Sequence, residues 1–381
     1  MRILFLALDV DLSRQRGDSI HTRTIAEAMA SLGNDVLLIV GARGETAGVT
    51  NPRARVETVS GSDSRVLLSL IELLRDFRPE VIYERRSTPK IGFALRFLLG
   101  IPAIMELNGI VSEEIAMQGR QPRENRLEFP KTVFRGTMFR AVDRFVVVSQ
   151  AIRDYLIRDF HVHPETIVVL PNGVDTRRFT TIPKAEACRQ MGLSSDAPRV
   201  VFVGNLVGWR DFRVVFASMR AVLQRIPNFH LMIVGDGPER THLQELVAEA
   251  GLGTAVTFTG EVRHELVPLF VCCGDIGLLP ERIRSIDISP LKLYEYLACG
   301  RPVVAFDVRG LEEVGRVDAG RLVPPGDEAR LSDAILDLLS SESLRAECAT
   351  RGRKLVEVEH SWEKIAARII KVLADAQGVA A

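Results

Sequence analysis

Asp287 and Glu295 bracket the part of this chain richest in chemistry. Between them Ser289-Pro290 reads as a helix start with proline in the first turn, and Gly300 with Pro302 marks its end. A helix beginning there leaves the amides of Leu291 and Lys292 without intrahelical acceptors, and its N-terminal end carries about half a positive charge. With the Lys292 ammonium these groups form an anion site, and Glu295, about one turn deeper, reaches hydroxyls attached to that anion. A sugar, a diphosphate and a ribose would fit the layout in line. A plain helix cap followed by a surface glutamate is the alternative.

Other candidate positions follow apolar runs that read as parallel strands, and in such sheets ligands bind beyond the strands' carboxyl ends. Gly204-Asn205-Leu206-Val207-Gly208-Trp209-Arg210 closes one of these runs. An arginine there can bridge phosphate oxygens or simply stand in solvent. Gly235-Asp236-Gly237-Pro238 is a tight turn whose structural reading is the stronger. The loop from Asp9 to Ser19 holds Arg14, Arg16, Gly17 and Asp18 ahead of a helix carrying His21. Its glycine allows backbone amides to approach an anion or sugar, or makes an ordinary connection.

The elements that must hold these loops alternate. Ile3 to Leu8 reads as a buried strand, Ile20 to Leu32 as a helix stopped by Gly33-Asn34, and Val36 to Val40 as the next strand. Strands follow at Val81–Tyr83, Ala103–Leu107, Phe145–Val148 and Ile167–Leu170. A second series has strands Arg199–Val203, His230–Val234, Val256–Thr259, Ile276–Leu279 and Val303–Phe306, with helices at Val214–Arg225 and Leu291–Ala298. Asn172 to Pro198, polar and rich in breakers, reads as the linker. The simplest architecture is therefore α/β, two doubly wound domains in tandem. The tail carries Trp362, Ile365, Ile369, Val372 and Leu373 at helical spacing, a stripe suited to core packing.

Composition narrows the partners. The 381 residues include 49 basic and 49 acidic side chains, so the formal charge is zero and no global field favours nucleic acid. With 46% hydrophobic residues the chain can build two or three cores, which excludes disorder as its main state. The partner expected is a small molecule or a surface patch. Five sparse cysteines without a CxxC spacing suit reduced thiols in a cytosolic protein, and no metal site is expected. The short run after Met1-Arg2 ends at Asp9 and lacks the features of a signal peptide. No stretch approaches ~18 uncharged apolar residues; Ile91 to Met105 contains Arg96, Gly100 and Pro102. Residues 120–144 interleave Arg120, Arg123, Arg126, Lys131, Arg135, Arg140 and Arg144 with apolar side chains. Such a segment could lie on an anionic leaflet, or be a solvated helix face.

The chain resembles the retaining glycosyltransferases of family 4, also called group 1. The likeness is carried by Gly17-Asp18-Ser19-Ile20-His21, Val148-Ser149, Pro171-Asn172-Gly173-Val174-Asp175 with Arg178-Phe179, Gly204 to Arg210, Gly235 to Pro238, the Asp287/Glu295 pair and Val323-Pro324-Pro325-Gly326-Asp327. It implies the GT-B fold, two facing Rossmann-like domains with a cleft between them. The domains would be 1–176 on the acceptor side, joined by the returning helix 362–381, and 177–361 on the nucleotide-sugar side. The reaction implied moves a hexose-type sugar from a nucleoside diphosphate, UDP ahead of GDP, to an acceptor hydroxyl. It needs no metal or other cofactor. Its setting would be glycan, glycolipid or metabolite biosynthesis, in the cytoplasm or at the inner membrane face. An epimerase or phosphorylase on the same fold, or a binding subunit without turnover, are the alternatives.

By the same resemblance Asp287 holds the transferred sugar and Glu295 the ribose, matching the family's E-x7-E pattern with the first acid shortened to aspartate. The amides of Leu291 and Lys292 fall on the diphosphate, and Arg210 neutralises it. Asn205 stands where an arginine is common, and Asn108 where many members carry a histidine. Asn108 cannot take a proton at neutral pH, which agrees with a front-face displacement in which the leaving phosphate accepts it. Catalytic positions are thus Asp287, Arg210, Lys292, Asn108 and His21. Donor-binding positions are Glu295, Leu291, Lys292, Arg210, Asn205, Gly204, Val262 and Gly17.

Overall fold

Ile3 to Ala7 are wholly buried, as a continuous apolar run must be when helices cover both faces of a parallel sheet. The computed structural model describes residues 1–13, 17–41, 48–86, 90–109, 136–282 and 291–379. The chain divides into two compact units, Met1–Asn172 with Trp362–Ala381, and Gly173–Ser361. The division falls four residues ahead of the expected 176/177 boundary.

The first unit contains β1 (Arg2–Ala7), α1 (Gly17–Ser31), β2 (Asp35–Gly41), β3 (Ala54–Val59), α2 (Asp63–Phe77), β4 (Val81–Arg85), α3 (Ile91–Leu99), β5 (Ala103–Leu107), β6 (Arg144–Val147), α4 (Gln150–Phe160) and β7 (Ile167–Val169). All strand pairs are parallel, in the order β3-β2-β1-β4-β5-β6-β7. Helix α1 begins at Gly17, three residues earlier than its apolar spacing suggests, and stops at Gly33, whose φ of 88° only glycine adopts readily. The apolar stretch 91–105 is broken as its residues require: Gly100 ends α3 in the left-handed region, and β5 starts after Pro102. Among the described residues no helix is long and apolar enough to cross a membrane. The C-terminal helix Trp362–Val379 belongs to this unit, with Trp362, Ile365, Ile369, Val372 and Leu373 all buried. The Trp362 ring meets His21 of α1 edge-on at 5.0 Å, and Gln377 donates to the Glu80 carbonyl.

The second unit holds α5 (Lys184–Met191), β8 (Arg199–Val203), α6 (Phe212–Arg225), β9 (His230–Val234), α7 (Arg240–Glu249), β10 (Val256–Gly260), α8 (Val267–Cys272), β11 (Ile276–Leu279), α9 (Leu291–Ala298), β12 (Val303–Phe306), α10 (Glu313–Arg316), β13 (Gly320–Val323), α11 (Glu328–Ser340), α12 (Glu342–Leu355) and a π-helical turn, Val356–His360. Its sheet is also parallel, ordered β10-β9-β8-β11-β12-β13. Both units are Rossmann-like, with the order reversing between the first strand and the fourth. From Gly173 on, the segment read as a linker is instead part of this unit. Val174, Phe179, Ala187 and Cys188 are buried in its core, and Arg353 donates to the carbonyls of Thr176, Phe179 and Ala298. Polar composition hid four apolar anchors.

Glu84, at the end of β4, shows how a strand end and a helix start are fitted together. It is 2% exposed, and its Oε2 accepts the amide of Gly92 in the first turn of α3 at 3.1 Å. A Cβ on Gly92 would come within 2.5 Å of that oxygen, so glycine is required. Burial pushes the Glu84 carboxyl up to about 7, against the Arg86 charge and the backbone amides that favour ionisation. A folded-state value above the unfolded one means that Glu84 stabilises the protein fully below about pH 4.5, and that this is lost as pH rises through about 7. Glu84→Gln should therefore gain melting temperature relative to the natural chain between about pH 5 and pH 8. Paired thermal melts read this, and a difference that does not change with pH would contradict it.

Candidate functional site

In the second unit the β8/β11 ladder stops after two residue pairs, Val200 with Ile276 and Val201 with Gly277. The Tyr296 hydroxyl enters the gap, accepting the Val203 amide at 2.7 Å and donating toward the Leu278 carbonyl at 3.5 Å. Helix α9 comes this close because Gly277 lacks a side chain; a Cβ there would lie 2.6 Å from the tyrosine ring. Beyond the gap, the loops after the two strands meet. Arg210 and Glu281 form an isolated antiparallel bridge, and Arg210 Nε lies 3.2 and 3.3 Å from the Glu281 carboxylate oxygens. The guanidinium stacks over Phe202 at 4.8 Å and donates through Nη1 to the Asn205 carbonyl. Gly204 sits against the next loop: its carbonyl is 2.1 Å from where a Cβ on Gly235, φ 132°, would stand.

Glu295 is 6% exposed on α9. Its Oε2 pairs with Lys292 Nζ at 2.6 Å, and its Oε1 lies 4.0 Å from His264 Nε2. Burial raises the carboxyl's pKa, but the Lys292 charge and the contact with His264 outweigh it, and the group is held below its ordinary value. His264 meets Phe179 edge-on, and its Nδ1 is buried without a hydrogen-bond partner among the described residues. Leu291 and Lys292 are half-buried at the helix start, and half-buried Val262 packs on the core nearby in sequence to His264. Asp287, Ser289 and Pro290 lie outside the described residues.

The structure thus groups Gly204, Asn205 and Arg210 at one strand end, and Leu291, Lys292 and Glu295 on one helix. It adds two residues that spacing did not single out, Glu281 and His264. Glu281 follows Pro280 directly after β11, a position that could have been inspected on the strand-end rule. Neither Arg210 nor Lys292 is an unopposed cation, since each is paired with a buried carboxylate.

The first unit builds its own polar cluster. His21 is 4% exposed, with Nε2 2.6 Å from Glu106 Oε1. Glu106 also accepts Tyr83 OH at 2.7 Å and Asn108 Nδ2 at 2.8 Å. Burial raises the Glu106 carboxyl, but His21, Arg85 and the Tyr83 hydrogen bond bring it down to about 2. His21 therefore faces a carboxylate and Trp362 rather than open solvent. Gly17 opens α1, where Ser19 Oγ donates to the Asp11 carbonyl; Arg14 and Arg16 lie outside the described residues. A cavity of about 570 Å³ opens past β1 to β4, lined by Asp9, Asp11, Ser60, Asp63 and Arg86 among others. Arg86 pairs with Asp9 at 3.1 Å and Asp63 at 3.3 Å.

Glu313, Glu359 and His360 are close enough to share an ion, but Arg316 already lies against both carboxylates. Of the basic stretch 120–144, residues up to 135 lie outside the described ones. In the remainder Phe139 is core, packed on Phe145 and Phe160, and Arg140 donates to the Phe160 carbonyl. The apolar side of that part thus packs inward, while Arg140 itself is exposed.

Two family models match the chain: "Glycosyltransferase Family 4" over residues 16–178 and "Glycosyl transferases group 1" over 197–341. Among curated relatives, the 2-deoxystreptamine N-acetyl-D-glucosaminyltransferase of Streptomyces fradiae is 29% identical over 76% of this chain and 68% of its own length. A GDP-mannose-dependent monoacylated alpha-(1-6)-phosphatidylinositol monomannoside mannosyltransferase of Corynebacterium glutamicum is 29% identical, over 61% of this chain and 62% of its own. Among solved structures, sucrose-phosphate synthase from Thermosynechococcus elongatus covers 99% of both chains with a TM-score of 0.76 at 21% identity. Anabaena HepE in complex with UDP covers 98% of this chain and 100% of its own, with a TM-score of 0.76 at 19% identity. These structural likenesses are of fold, and the fold is GT-B.

The Arg210/Glu281 pair should matter to stability whatever ligand it serves. Removing one partner strands the other charge in a site where both side chains are largely out of water. Glu281→Ala should cost about 3 kcal/mol in urea unfolding. A loss under about 0.5 kcal/mol would instead describe a solvated surface pair.

Proposed function

From the premise that the chain belongs to the family 4, group 1 glycosyltransferases, we propose that it moves a hexose-type sugar from a nucleoside diphosphate to an acceptor hydroxyl, with retention of configuration and without a metal. The observation that carries the reading is Glu295: an almost wholly buried acid, one turn into the helix after β11, held ionised by Lys292. An acceptor-only carboxylate in that place is suited to two vicinal ribose hydroxyls. With the ribose there, the diphosphate falls on the amides of Leu291 and Lys292 at the helix's positive end. The Lys292 and Arg210 side chains stand beside it, Gly204 and Asn205 border the same loop, and Val262 borders the base.

Charge builds on the diphosphate as the glycosidic bond breaks, so preorganised cations and amides are the main catalytic demand. Glu281 and Glu295 fix the two cations in place, which keeps them from reorganising during the reaction. Asp287 would hold the migrating sugar. The acceptor is assigned to the first unit, through the cavity beside Asp9 and Asp63, with Gly17, His21 and Asn108 near that unit's strand ends. UDP is the nucleotide proposed, and GDP is the second arm because a relative's name specifies GDP-mannose. The cytoplasmic setting and contact with an inner membrane face remain part of the proposal.

A panel of UDP- and GDP-hexoses, assayed for released nucleoside diphosphate with and without EDTA, tests the reading. Release from at least one donor, undiminished by EDTA, is expected. Altered sugar nucleotide or sugar phosphate as product, or a requirement for Mn²⁺, would overturn it. Because the ribose is unchanged in the reaction, Glu295→Ala should raise the donor KM about ten- to 150-fold with a smaller fall in kcat. Asp287→Ala should depress kcat. Unaltered nucleotide affinity in a folded Glu295→Ala protein would remove α9 as the ribose site.

A further inference from the structure

Arg85 and Glu106 stand opposite one another in the β4/β5 ladder, and Tyr83 projects from the same face. The sheet thus ends in a polar group under α1 and the C-terminal helix, where burial would favour apolar residues. Glu106 is 1% exposed, and its two oxygens contact His21, Tyr83 and Asn108. An acid is not needed merely to fill this space. A neutral glutamine would occupy the same volume without bringing a charge out of water.

What the acid does uniquely is fix the direction of a neighbour. An ionised carboxylate accepts hydrogen bonds and donates none, so the Asn108 amide beside it has one allowed orientation. The NH2 group faces Glu106 Oε1 at 2.8 Å, and the carbonyl Oδ1 is turned away. Oδ1 is buried and has no hydrogen-bond partner among the described residues. An unmet buried acceptor is uncommon in folded proteins and calls for a ligand, a water or a catalytic role. Asn108 lies just past the end of β5, on the edge where doubly wound sheets bind ligands.

We propose that Glu106 is a positioning residue for the transfer reaction, holding the Asn108 amide so that Oδ1 is offered as an acceptor to a hydroxyl of the reacting sugar or alcohol. The inference rests on the glycosyltransferase reading above. Glu106 itself touches no substrate. Its effect passes through one hydrogen bond, and Tyr83 and His21 keep its carboxylate from turning away from Asn108. With glutamine at position 106 the neighbour could present either face, and Asn108 would lose its fixed direction.

The test is a set of variants of the full chain: Asn108→Ala, Asn108→Asp, Glu106→Gln and the two double variants, each followed by nucleoside diphosphate release from the best donor. Glu106→Gln should lower kcat roughly tenfold with the donor KM within about twofold, and adding Asn108→Ala should bring no further full loss. Asn108→Asp sets two carboxylates side by side and should be slower than Asn108→Ala. Glu106→Gln should then rescue Asn108→Asp at least about fivefold, because glutamine can donate to the new acid. Multiplicative losses, or no rescue, would overturn the proposal. Should Glu106→Gln fail to fold, Asn108→Asp no slower than Asn108→Ala would overturn it equally. A natural chain that turns over no donor refutes the glycosyltransferase reading instead. In that case the positioning claim is read from the ¹⁵N-labelled Asn108 side-chain amide, which should exchange slowly and respond to Glu106→Gln; fast exchange in the natural chain would overturn it.

Discussion

Where β8 and β11 part, backbone groups at the ends of two central strands lose their ladder partners, and a parallel sheet offers no other strand to replace them. One tyrosine hydroxyl meets that requirement by taking the Val203 amide. Tyr296 lies on α9, so the side chain that closes the gap also sets where α9 stands. Gly277 makes the approach possible. Glu295 and Lys292 then take their places because they share a short helix with Tyr296, and Arg210 takes its place because its loop is clasped to Glu281 across the same gap. The candidate site is thus a consequence of how the sheet solves its own hydrogen bonding.

The ladder between β1 and β4 is longer, four pairs, yet the first unit ties its loops in a similar way on different residues. The order reverses between β1 and β4, and the loops after those strands are tied by Asp9 and Arg86, as those in the second unit are tied by Arg210 and Glu281. Each unit also keeps a carboxylate ionised in spite of burial: Glu106 among His21, Tyr83 and Asn108, and Glu295 beside Lys292. Where burial outweighs the favourable neighbours, as at Glu84 with Arg86 and the α3 amides, the carboxyl is pushed up instead, to about 7. Fixed dipoles and charges of this kind need no rearrangement when charge develops nearby, which is what transfer of a sugar from a diphosphate asks of a protein.

Much of this was legible in the sequence, because fully buried parallel strands leave unbroken apolar runs. Ile3–Ala7, Val36–Val40 and Val303–Phe306 stand out for that reason. The edge strand β3 does not, since Ala54-Arg55-Val56-Glu57-Thr58-Val59 is half exposed and its pattern is diluted. Asn172 to Pro198 misleads in the other direction: its polar surface conceals Val174, Phe179, Ala187 and Cys188 in the core. Helix α9 is marked by its own start and stop signals, so Lys292 and Glu295 could be placed in advance. The pairing of Arg210 with Glu281 could not, because it joins loops far apart in the chain through a ladder gap that no spacing records. Glu106 was hidden likewise, as one acid inside an apolar run whose partners come from α1, β4 and the loop after β5.

Hydrogen–deuterium exchange on the full chain, with and without saturating UDP or GDP, reports where a nucleotide touches the backbone before any acceptor is known. Slowed exchange is expected in peptides covering 204–210 and 291–298, where the amides of the β8 loop and of the α9 start would meet ribose and diphosphate. Protection absent from both segments while a nucleotide is demonstrably bound, or confined to the first unit, would contradict that placement.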